Sequence, residues 1–135
     1  HNSVSPCRDG WLHRKGAAPT DKGLVLIPGS RGTLSYIVKP TGDQQRNAWS
    51  LAHGAGRKWK RSECRQRFSG PGSVESLKQT ALGSRVICEN KDLLFEEAPQ
   101  AYKDIEVVIE DMIAWGVIEV VASLKPLITY KTRRK

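Results

Sequence analysis

The chain has 135 residues, 39% of them apolar, with four Trp, and its 22 Lys and Arg against 14 Asp and Glu give a formal charge of +8. That is the length of one domain able to bury a real core, and the excess of cations points to a polyanionic partner such as nucleic acid. No run of about 18 apolar residues is present to span a bilayer, and no charged-then-apolar leader opens the chain. Cys7, Cys64 and Cys88 are odd in number and lack any C-x-x-C spacing. They read as reduced thiols of a cytoplasmic protein rather than a disulfide framework or a closed zinc site. The first residue is His, not Met, which predicts a piece of a longer protein.

Taken in order, the chain opens on a turn-rich stretch through Pro6, Asp9 and Gly10 to Trp11 and Leu12. His13-Arg14-Lys15-Gly16-Ala17-Ala18-Pro19 follows as a basic loop, suited to anion contact or to plain solvation. Leu24 to Ile27 is a short apolar run of the kind expected of a buried strand, and Leu34 to Lys39 is predicted as the next strand. Between them, Pro28-Gly29-Ser30-Arg31-Gly32-Thr33 is either an ordinary connection or a loop whose backbone N–H groups face an anion. Asp43 is predicted to cap a short helix running towards Trp49 and Leu51. That helix would deliver His53.

Ala52-His53-Gly54-Ala55-Gly56-Arg57 carries the most chemistry. Glycines lack the Cβ that would hold a phosphate away, and neutral imidazole is a nucleophile near neutral pH whose attack on phosphorus gives a labile N–P bond. The alternative is a glycine turn beside a basic helix. Residues 57 to 68 are predicted helical, with Trp59 and Cys64 inward, Lys58, Lys60, Arg61, Arg65 and Arg67 around the rest, and the positive dipole end aimed at the glycine loop. A further short helix is predicted from Val74 to Leu82, then a strand from Arg85 to Glu89 and an apolar cluster at Leu93-Leu94-Phe95. Ile105, Val108, Ile109, Met112 and Ile113 lie on one helical face, with Asp104 as start and Gly116 as stop, so this stripe reads as core. Val117 to Leu124 and Leu127 to Tyr130 are predicted as the closing strands. Thr132 to Lys135 is a basic tail.

Taken together, these segments resemble the C-terminal part of the RtcB family of RNA ligases, the 3′-phosphate tRNA-splicing and RNA-repair ligases. The resemblance rests on His1-Asn2, His13-Arg14-Lys15-Gly16-Ala17, Pro28-Gly29-Ser30 with Gly32-Thr33 and Ser35-Tyr36, and His53-Gly54-Ala55-Gly56-Arg57 with Arg61. Glu97-Ala98-Pro99, Ala101-Tyr102-Lys103-Asp104 and Lys131 complete it, in the family's order. It implies an α+β fold of mixed short strands and helices, residues 1–135 being the C-terminal part of a single RtcB-like catalytic domain with its N-terminal metal-binding part upstream.

The resemblance also implies roles. His53 matches the nucleophile that becomes attached to GMP; Gly54, Ala55 and Gly56 match the nucleotide-binding loop; Pro28, Gly29, Ser30, Arg31 and Ser35 match positions around the guanine nucleotide. Lys131 matches a lysine that contacts the base, His1 a manganese ligand and Asn2 its nucleotide-contacting neighbour. Lys15, Arg57 and Arg61 are the candidates for RNA phosphates. The implied reaction is a GTP- and Mn²⁺-dependent joining of RNA 3′-phosphate or 2′,3′-cyclic phosphate ends to 5′-hydroxyl ends in tRNA splicing or RNA repair, with an archease-type activator. The 135 residues alone are expected to turn over little.

Arg31 stands where many members have methionine, Lys58-Trp59-Lys60 replaces a small polar stretch, and Ala18-Pro19 replaces a threonine, the pattern of a divergent paralogue. The competing class is a non-catalytic basic RNA-binding module or decayed paralogue. A histidine-based nucleotidyl hydrolase fits poorly, because the chain has no histidine cluster and His13 has no carboxylate partner by spacing.

Overall fold

The computed structural model describes residues 2–68 and 70–132. In chain order the strands are β1 (Asn2–Cys7), β2 (Gly10–Lys15), β3 (Ala17–Pro19), β4 (Val25–Ile27), β5 (Ser35–Pro40), β6 (Ser50–Ala52), β7 (Arg85–Cys88), β8 (Ile118–Leu124) and β9 (Ile128–Lys131). The helices are α1 (Arg61–Cys64), α2 (Ser73–Ser76), α3 (Lys91–Glu96) and α4 (Ile105–Ala114), with 3₁₀ turns at Gln66–Phe68 and Pro99–Ala101. The arrangement is α+β, as the resemblance implies.

Two apolar cores lie on either side of a cleft. The first is built on the antiparallel order β4-β5-β8, where period-two alternation turns Val25, Ile27, Tyr36 and Val38 inward. Helix α4 closes it with Ile105, Ile109 and Met112, buried at i, i+4 and i+7, while Ile113 at the edge of the stripe is 48% exposed. Asp104 caps the helix by accepting from the Glu106 N–H at 2.9 Å. Gly116, at φ 68°, ends it: its N–H donates to Ile113 O at 2.8 Å and that of Val117 to Met112 O at 3.1 Å, a Schellman pair.

The second core gathers Cys64, Leu77, Val86, Leu94, Phe95, Ala98 and Ala101, with Trp59 and Phe68 packed against it. Its strand β7 pairs in parallel with β9.

Four expectations are corrected. Residues 2–15 are not turn-rich loops but the antiparallel hairpin β1–β2, with Cys7 opposite Gly10. Buried Arg14 ties its base down, donating to Ser50 Oγ at 2.8 Å, Ser5 Oγ at 3.0 Å and Trp49 O at 3.2 Å. No helix follows Asp43: the chain turns, Ala48 and Trp49 take positive φ, and Ser50 to Ala52 pair as β6 with β3. The helix expected over 57–68 starts only at Arg61, because Arg57 bridges to Tyr102 and the Lys58 and Trp59 N–H groups both go to Ala101 O. The helix expected over 74–82 stops after Ser76, where Gln79 bridges to Arg85.

Ile109→Ala should lower the unfolding free energy by about 2–5 kcal/mol, read from the urea midpoint. Ile113→Ala, on the exposed edge of the same helix, should change it by less than about 0.5 kcal/mol.

Candidate active site

The sequence-distant loops meet in a cleft of about 680 Å³ between the two cores. Its wall takes Pro28 to Arg31, Thr33 and Ser35 from the β4–β5 connection, and His53 to Arg57 from the segment after β6. Glu97, Tyr102 and Lys103 come from the α3–α4 connection, and Thr129 and Lys131 from β9.

Each loop is held by identifiable bonds. The β3–β6 ladder sets Ala17 opposite Ala52, and the His53 N–H donates to Gly16 O at 3.1 Å, so the imidazole is delivered by a strand end rather than a helix. Gly54 has φ +115°, and a Cβ there would sit 2.9 Å from Pro28 O. The glycine loop and the Pro-Gly-Ser turn are therefore in close approach at a point where only glycine fits. Gly56 accepts the Lys103 N–H at 3.0 Å, which joins the histidine loop to the start of α4.

The Pro28–Ser35 loop is closed on itself. Gly29 N–H donates to Ser35 Oγ at 2.9 Å and Ser30 N–H to Thr33 Oγ1 at 2.7 Å. A Cβ on Gly29 would fall 1.9 Å from Leu34 O, so this turn excludes every side chain. The Gly29 and Ser30 N–H groups, which in the anion-loop alternative would face a ligand, are used within the loop.

Arg57 is bound to the protein on all sides. It donates to Trp59 O, Tyr102 Oη and Cys64 Sγ, each at 3.2 Å, lies 3.8 Å from Glu97 Oε1, and stacks 5.0 Å from the Tyr102 ring centroid. Tyr102 Oη in turn donates to Glu97 Oε2 at 2.5 Å. Burial, then the hydrogen bond and charge of Glu97, push the Tyr102 phenol above its ordinary pKa.

Arg61 reaches the cleft with its side chain 67% exposed and 3.8 Å from Glu96. Asn2 and Lys15 face each other at the foot of the hairpin, outside the residues that line the cleft, with Asn2 Oδ1 2.9 Å from His13 Nε2. His1 lies outside the described residues. Glu97, Tyr102 and Lys103 had no role in the sequence reading; the only signal for them was that they fall inside segments shared with the family.

A concave, cation-rimmed site of this size suits a nucleotide or a nucleic-acid end, and the close glycine approach suits phosphate. Among the described residues no group of three or more His, Cys, Asp or Glu could hold a metal ion. Also among them, no helix is long and apolar enough to cross a membrane.

Comparisons with known proteins identify the family to which the chain belongs. The family model for tRNA-splicing ligase RtcB matches residues 1–132. The chain is 53% identical to the RNA-splicing ligase RtcB2 of Escherichia coli over 97% of its own length, and 36% identical to the tRNA-splicing ligase RtcB of Methanopyrus kandleri over 87%. It is 34% identical to RNA-splicing ligase RtcB homolog 1 of Entamoeba histolytica over 89%. It covers 35%, 14% and 25% of those three proteins respectively, so it spans about a third of the first and less of the others. The chain belongs to the RtcB family.

Because the Tyr102 phenol titrates above its unfolded value of about 10, it contributes stability that is fully present below that pH and is lost as pH rises through the folded value. Tyr102→Phe should flatten the alkaline limb of a stability–pH curve and remove one late-titrating tyrosinate from an absorbance titration at high pH.

Proposed function

We propose that the protein containing this chain is a cytoplasmic, GTP- and manganese-dependent RNA ligase that joins 3′-phosphate or 2′,3′-cyclic phosphate ends to 5′-hydroxyl ends through a histidine–GMP intermediate at His53. RNA with such ends, from tRNA splicing or RNA repair, is the substrate, and an archease-type protein is the proposed activator. The reading is supported above all by one juxtaposition: His53 with its Gly54-Ala55-Gly56 loop, the Pro28-Gly29-Ser30 turn and Lys131 come from three separate stretches of chain and line one cleft.

In this reading a ring nitrogen of His53 attacks the α-phosphorus of GTP, an N–P bond forms, and the P–O bond to pyrophosphate breaks. A 3′-phosphate oxygen of the RNA then takes the guanylyl group from His53. Attack by the 5′-hydroxyl forms the phosphodiester and expels GMP, which is a far better leaving group than oxide. The bare backbone at Gly54 and Gly56 lets the nucleotide phosphates approach the imidazole closely, and a cleft of 680 Å³ accommodates a nucleotide. Lys131, on the β9 wall, is the proposed base contact, and Arg61 and Lys15 the proposed grip on RNA phosphates. No group of three or more possible ligands occurs among the described residues, so in this reading manganese would take His1 together with donors from other parts of the protein.

Incubated with labelled GTP and Mn²⁺, the full-length protein should hold an acid-labile nucleotide adduct, and His53→Ala should lose it completely; an adduct that survives this change refutes the nucleophile. RNA binding that falls with salt but ignores GTP and Mn²⁺, with no adduct, would instead establish the non-catalytic module.

A further inference from the structure

Arg31 is 9% exposed and belongs to the cleft wall. Its Nη2 donates to Leu94 O at 2.8 Å, whereas its buried Nε meets no acceptor. No carboxylate is in ion-pair contact with it among the described residues. Burial lowers its pKa, and the groups that raise it again through space are Cys88 of β7, Glu97 after α3, and Tyr102. Glu97 is already spent on Tyr102 and Arg57.

A buried guanidinium without a counter-ion and with an unused donor is costly, and an apolar side chain of similar length would avoid the cost. The charge is useful if an anion enters the cleft beside it. The surrounding loop offers little else, since Gly29 and Ser30 N–H are taken by Ser35 and Thr33.

We propose that Arg31 is an anion anchor, its guanidinium fixing a phosphate oxyanion of the substrate, so that this cleft recognises phosphate through a side chain and not through the backbone of the Pro28–Ser35 loop. The inference rests on the ligase reading only for which phosphate is bound: the 5′-phosphate of the guanine nucleotide or the 3′-phosphate of the RNA end.

The test is titration calorimetry on the full-length protein with two ligand pairs, GMP against guanosine and a 3′-phosphate oligonucleotide against its 3′-hydroxyl counterpart. R31M should weaken the phosphorylated member of one pair by roughly ten- to a hundredfold and leave its unphosphorylated member unchanged; the affected pair identifies the source. R31K should keep part of the effect, having the charge without the planar fork. R31M should also melt at or above the wild-type temperature, which a mere strut between the loop and α3 would not allow. Equal weakening within both pairs, or none, overturns the anchor. If R31M keeps full phosphate discrimination while the GMP adduct still forms on His53, the anchor fails and the ligase reading stands. If R31M loses discrimination in a protein that forms no adduct, the anchor stands and the ligase reading falls.

Discussion

The cleft depends on one cation whose partners the protein itself supplies. Arg57 follows the histidine loop directly and places its guanidinium among Trp59 O, Cys64 Sγ, Tyr102 Oη and Glu97. Those partners belong to the second core and to the connection between α3 and α4, so this side chain joins the loop carrying His53 to the opposite wall. A half-buried guanidinium that uses its fork in several directions at once fixes orientation far better than a lysine would. Gly56 O, taking the Lys103 N–H, doubles the tie with backbone. Arg57, a candidate for RNA phosphates, spends three of its five N–H donors on protein acceptors. Arg61, more exposed and held by a single carboxylate, is the freer cation.

The two glycine-bearing loops solve different problems. Around Gly29 the chain folds so tightly that Ser35 and Thr33 consume the local N–H groups, and the turn serves as rigid masonry. Around Gly54 and Gly56 positive φ values carry the backbone past Pro28 and out into the cleft. A motif reader sees two phosphate loops of equal standing; the hydrogen bonds separate a scaffold from a surface. Within the scaffold, Arg31 is the residue whose polar demand is not fully met from inside, with Ser84 Oγ donating to its carbonyl at 2.9 Å and its Nε left without an acceptor.

Strong periodicity made part of this legible in sequence. Helix α4, with Asp104 and Gly116 at its ends, follows from a 3.6-residue stripe, and strands β4, β5, β7, β8 and β9 follow from short apolar or β-branched runs, although β9 ends up largely exposed. The hairpin β1–β2 was missed since almost all its positions are exposed, so Asn2 to Cys7 carries no apolar alternation to read. Three-residue strands such as β3 and β6 exist only through each other, and no local signal announces a partner so far along the chain. The basic run after Gly56 has helical propensity, yet the bridge from Arg57 to Tyr102 and the two N–H bonds to Ala101 override it. The members of the site were recognisable as residue types, but Asn2 and Lys15, grouped with them in the sequence reading, do not line the cleft. The Glu97–Tyr102–Arg57 knot was invisible, because its geometry depends on a 3₁₀ turn at Pro99–Ala101 that sets Glu97 and Tyr102 side by side.

The parallel ladder between β7 and β9 brings Lys131 opposite Cys88. A parallel partner cannot arrive by a tight turn; here the path runs through α3, α4 and β8 before β9 can dock. The last wall of the cleft thus rests on a contact between segments far apart in the chain, whose closure costs loop entropy. Any molecule that bridges His53 and Lys131 would hold the final strand in place and make its detachment rarer, so occupancy of the pocket and integrity of the chain's end become a single thermodynamic quantity.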